Sequence, residues 1–180
     1  MPVSVDRTAI LFKAIKPKGG EMPVVMGSGG SGILLHEAIG HAFEADFNRK
    51  DISIFAGQLN KKVCNEHINV VDDGTIPFNR GSVNFDDEGV EGQKTYIVKE
   101  GVLTSYLHDR ISAKHYGVNP TGNGRRDTFR NLPIPRMRAT YMEAGNMKEA
   151  DIISKVKNGI FVDTFTNGQV QIGAGDLRSS

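Results

Sequence analysis

Residues Leu34 to Glu44 read LLHEAIGHAFE. Two histidines around a glutamate are the materials of metal-dependent hydrolysis, with imidazoles to hold a divalent ion and a carboxylate to take a proton from water. In the common zinc-peptidase pattern H-E-x-x-H the histidines are four residues apart, roughly 40° apart on one helix face. His36 and His41 are separated by one residue more. On a straight helix this puts the side chains roughly 140° apart, too far round to meet at one ion. A metal site therefore requires the helix to absorb the extra residue in an i→i+5 bulge, a rare local feature that gathers at functional sites. Gly40, just before the second histidine, is where such a distortion is cheapest. In this reading His36 and His41 are metal ligands and Glu37 is the catalytic base. The plainer alternative is that Glu37 and His41, four apart, form an ordinary polar pair on a helix surface.

The neighbouring residues add to the case. Ile33 to Leu35 are apolar enough to bury the helix, and buried imidazoles need partners. Glu44 and Asp46 follow within one or two turns and could orient a metal-bound histidine, or could simply form a solvated acidic face. Upstream, Gly27, Gly29 and Gly32 satisfy G-x-G-x-x-G between a strand pattern and a helix pattern, with Asp46 or Asp51 at the distance of a ribose-binding acid. A dinucleotide site would need alternating strands and helices to continue, whereas hairpin patterns follow, so this ranks a distant third. Arg125, Arg126, Arg130, Arg136 and Arg138 cluster in a Gly- and Pro-rich stretch. With few aromatics among them they read as pins holding a loop to carboxylates such as those of VDDG and FDDEG, with oxyanion stabilisation a further use. His67, His108, His115 and Cys64 stand alone by spacing and remain unassigned.

These residues must be positioned by a chain of 180 residues, long enough for one domain with a sizeable core. The 22 basic and 21 acidic residues nearly cancel, which gives no global reason to expect nucleic acid as partner. One cysteine excludes an internal disulfide, and no apolar run has the length of a membrane span, so a cytoplasmic location is the default. MPVVMG reads as a short buried strand, and Ser31 as N-cap of a helix that carries the histidines to about Asn48. INVVDDG and SVNFDDEG read as strands, and QKTYIVKEGVLTSYLHD as a hairpin turning at KEG. DRISAKHYG reads as a short helix stopped by Gly117. NPTGNGRRDTFRNLPIPRM is an irregular loop of the kind that often carries function. NMKEADIISKVKNG is a helix with Asn146 as N-cap, Glu149 in the capping-box position and Gly159 past its end. The strands GIFV and GQVQIG follow. The fold class is α+β, mainly antiparallel hairpins with a motif-bearing helix and two or so further helices.

Five blocks in one order, GILLHEAIGHAFEADFNRK, VVDDGT, RGSVNFDDEGVEGQ, TGNGRR and PIPRM, resemble the TldD/PmbA family, whose members are also labelled modulators of DNA gyrase and classed as metallopeptidases. The resemblance runs from about Glu21 to Asp176, and H-E-x-x-x-H makes the chain similar to the metal-bearing TldD-type member. It implies a peptidase acting on unstructured peptides, dependent on zinc or in some members iron, and working as a heterodimer with a PmbA-like subunit. It also implies that the 180 residues are the central region of a longer protein, with a domain before it and a β-rich segment after it that supplies a cysteine as third metal ligand. The alternative of another class is a binding or regulatory module in which the H-E-x-x-x-H helix is structural.

Overall fold

The computed structural model describes residues 2–163, 168–174 and 176–179. Its centre is a four-stranded antiparallel sheet in the order β4 (Val102–Leu103), β3 (Lys94–Lys99), β2 (Val70–Asp73), β7 (Thr140–Met142). β3 and β4 form the expected hairpin. Glu100 and Gly101 both have positive φ, 51° and 76°, the type I′ geometry that matches strand twist. Glycine is required at 101 because a Cβ there would lie 2.6 Å from the Cys64 carbonyl oxygen. The core joins Val70, Ile97, Val98 and Leu103 of these strands to Phe43, Ala45, Tyr106, Leu107 and Met137.

The helical segment that carries the histidines changes pitch along its length. α2 (Ser28–Leu34) runs into a π-helix, Leu35–Gly40, then one 3-10 turn, His41–Phe43; after a break at Glu44 comes α3, Ala45–Arg49. Glu44 is extended, with φ −67° and ψ 124°. There the backbone pairs with Leu107, whose N–H donates to Phe43 O and whose carbonyl accepts from Ala45 N, both at 3.0 Å. The break leaves the Ala42 carbonyl without the donor that a continuous helix would supply, and side chains satisfy it. Asn48 Nδ2 donates to Ala42 O and Glu44 O at 2.8 and 2.9 Å, and Ser53 Oγ donates to Ala42 O at 2.6 Å. The histidine-bearing segment is thereby fastened to the core.

Elsewhere the elements follow the sequence in part. α4, Arg110–Tyr116, is capped by Asp109 and Ser112 and ended by Gly117 in the left-handed conformation, as its pattern requires. β5 (Gly124–Arg125) and β6 (Ile134–Pro135) pair within the irregular loop. α2 starts three residues before Ser31, at an N-cap Gly27 with no side-chain cap, while Ser31 Oγ donates to Ser28 O. α5 is only Glu149–Ser154, with Lys148 rather than Asn146 as N-cap and no side-chain capping bond. SVNFDDEG is not a strand beyond a single Phe85–Glu91 bridge. β1 (Val24–Met26) is half exposed and pairs in parallel with β8 (Ile160–Val162), a departure from the antiparallel rule; β9 (Gly168–Gln171) and β10 (Asp176–Ser179) form a further antiparallel pair. Before β1, α1 (Pro2–Leu11) leaves Ile10 and Leu11 exposed. No helix among the described residues is long and apolar enough to cross a membrane.

Candidate metal centre

The π-helix does what the spacing of the histidines demands. His41 N–H donates to His36 O, an i→i+5 bond, and the widened turn swings the two rings onto one side. Their centroids are 4.8 Å apart with the planes at 82°. Potential ligand atoms of His36, Glu37 and His41 all lie within 4.8 Å of one another. His36 is exposed, while Glu37 and His41 are half buried, so the group opens to solvent on one side. Gly40 has φ −57° and ψ −53°, ordinary helical values. Its role is therefore room and not backbone freedom, because a Cβ at this buried position would fall on Met137 Sδ.

His41 is held from behind. Its Nδ1 is 3.2 Å from Glu44 Oε2, and Glu44 is fully buried. The same oxygen accepts from an Arg136 guanidinium nitrogen at 3.1 Å, and that nitrogen lies 3.6 Å from Asp46 Oδ2. The hydrogen bond to Glu44 holds the His41 pKa above its ordinary value, opposed by burial and assisted by the charges of Glu44 and Glu37. Glu44 and Asp46 are thus buried partners in an ion cluster, not a solvated face.

The arginines divide differently from the sequence expectation. Arg126 and Arg138 reach Asp87 and Asp72 through their backbone N–H groups, and the Arg138 side chain donates to the carbonyls of Gly122 and Gly124. Arg136 is the one whose side chain joins the site, and sequence reasoning found it only as a member of a cluster. The remaining candidates stay apart from the histidine pair. His67 is exposed, His115 meets Tyr116 edge to face in α4, and His108 is buried against the rings of Tyr106 and Tyr116. Cys64 packs at the edge of the core, where burial pushes its thiol pKa up. α2 continues into the π-helix and not back to a second parallel strand, so among the described residues the glycines of GSGGSG lack the βαβ unit of a dinucleotide site.

Two imidazoles and a carboxylate within reach of each other suit zinc, which takes nitrogen and oxygen ligands without geometric demands from its electrons. The donor set therefore fits a divalent ion, with Glu44 supporting His41 from outside the cage.

Comparison with known proteins agrees in kind. Residues 19–179 match the model of the PmbA/TldA metallopeptidase C-terminal domain. A protein of Haemophilus influenzae named metalloprotease TldD homolog is 45% identical over 96% of this chain and 36% of its own length. A zinc metalloprotease TldD homolog of Saccharolobus solfataricus is 36% identical over 89% of this chain and 37% of its own. The crystal structure of TldE from Thermococcus kodakarensis superposes with a TM-score of 0.73 at 25% identity, over 92% of this chain and 41% of that one. The chain spans little more than a third of the length of these relatives.

Proposed function

Because the chain belongs to the PmbA/TldA metallopeptidase family, we propose that it is a segment of a TldD-type subunit that hydrolyses unstructured peptides, with zinc held by His36 and His41 and with Glu37 as general base. The observation that carries this reading is the π-turn that brings two histidines five apart to face one another with Glu37 beside them. A zinc ion bound there would supply Lewis acidity, polarising a scissile carbonyl and making water a nucleophile near neutral pH. Glu37 accepts the proton that water loses and passes it to the leaving amine. The solvent-open side of the cluster leaves room for both water and substrate.

An extended peptide has a place to lie. β7 is an edge of the central sheet and sits beside the π-helix. Main-chain pairing along such an edge binds peptides without demanding particular side chains. The likeness to TldE supports a PmbA-like partner subunit in the assembled enzyme.

The test is Glu37→Gln in the full-length protein assembled with that partner. An amide cannot take the proton but leaves the imidazoles in place, so peptide cleavage should fall by on the order of a hundredfold or more while zinc content stays unchanged. Near-normal turnover in this variant would remove Glu37 from the mechanism, and a protein inactive with any peptide would favour the binding-module alternative.

A further inference from the structure

We infer that Glu44, clamped by Arg136, is a positioning residue that fixes His41 in the tautomer with hydrogen on Nδ1 and so presents Nε2 as the bare nitrogen. A guanidinium has no acceptor, so the Glu44 oxygen that meets Arg136 at 3.1 Å is receiving a hydrogen bond. The same oxygen meets His41 Nδ1 at 3.2 Å. As a carboxylate paired with the Arg136 cation, Glu44 has no hydrogen to give, so both groups facing its oxygen donate, which puts the ring hydrogen on Nδ1. In a neutral imidazole the other nitrogen then carries the free lone pair.

The surroundings make this arrangement rigid. Glu44 is the residue at which the helix breaks, and its backbone is locked against Leu107 on both sides. Arg136 follows directly on β6, stacks over Phe47 at 5.8 Å and donates to the Pro135 carbonyl as well as to Glu44. Its position ties the arm of β5 and β6 to the histidine helix. Charge also accumulates on one side: the carboxylates of Glu44 and Asp46 share a single guanidinium, and Glu44 Oε1 and Asp46 Oδ1 are buried without a partner among the described residues. A cluster with one more carboxylate than cation, directly behind His41, favours a cation in front of it.

That the bare nitrogen serves a metal rests on the proposed function; the tautomer itself does not. The experiment is therefore done in two arms on the isotope-labelled chain. In the metal-free protein at about pH 9, above the ordinary imidazole range, long-range proton–nitrogen correlation should show His41 as a single species protonated at Nδ1. Glu44→Ala should convert it to the mixture that an unconstrained ring shows. In the second arm, competition with a chromophoric chelator should show zinc affinity at least about tenfold lower in Glu44→Ala. A wild-type ring protonated at Nε2 overturns the inference even if the variant fails to fold, as does a variant that keeps the single Nδ1 species. A changed tautomer with zinc affinity within about twofold of wild type would remove the positioning role toward the metal. Zinc binding indifferent to His41→Ala, with the tautomer as expected, would contradict the proposed function and leave the hydrogen-bond assignment intact.

Discussion

Gly40 lies between the two histidines, and its requirement comes from a neighbour 97 positions away. The sequence marks it as the place where a helix could deform; its dihedral angles are ordinary, and what glycine provides is the space that Met137 Sδ occupies. Gly40→Ala gains about 1 kcal/mol of helix propensity and incurs an overpacking cost of about 1–3 kcal/mol. The expected net effect is a loss of about 1 kcal/mol by urea unfolding. In a Met137→Ala background the cost should vanish or reverse, because the space is then empty. Equal costs in both backgrounds would show that the conflict is not with Met137. The same limit governs the other site residues. His36, Glu37 and His41 were legible because their relation is local, and Glu44 and Asp46 because they follow within two turns. Arg136 was not, since nothing in its spacing says that it closes on Glu44, 92 residues away.

Elements were readable wherever local chemistry decides. The KEG turn, the Asp109 to Gly117 helix and the need for a π-turn all follow from residues adjacent in sequence. SVNFDDEG misled because its alternation resembles a strand. Asp86 Oδ1 instead accepts from the N–H groups of Glu88 and Val90, side-chain bonds that compete with a ladder. Between β4 and α4, His108 shows what an element can hide. It is buried, its Nδ1 has no hydrogen-bond partner among the described residues, and desolvation, only partly countered by Asp109, pushes its pKa down to about 4. The ring is therefore neutral when folded, and below its ordinary value of 6.5 the unfolded chain takes up a proton that the native state refuses. Stability from this group is complete above that value and is lost progressively as pH falls to about 4, by on the order of 3 kcal/mol. Urea unfolding across that window should show a steeper decline for wild type than for His108→Phe. Parallel slopes would mean that the ring titrates normally in the folded state.

At the scale of the whole molecule, the α+β class with mostly antiparallel pairing was legible, and the parallel contact of β1 with β8 was not, because 136 positions separate its first registered pair, Val24 and Ile160. Long-range pairing of short strands leaves no periodic trace. What the fold achieves is the convergence of three distant parts on one helix turn: the core through Leu107, the β5 and β6 arm through Arg136, and the sheet edge through β7. The consequence to test is that His36 and His41 form one metal site. With two imidazoles as its donors, this chain should hold zinc less tightly than a site with three dedicated ligands and should release it to a strong chelator. The most direct measurement is a zinc competition titration of the chain and three single variants. Wild type and Glu37→Gln should each bind one equivalent, and His36→Ala and His41→Ala should each weaken binding by on the order of a hundredfold. If both histidine variants bound zinc as wild type does, the two rings would be neighbours across a π-turn and not a metal centre.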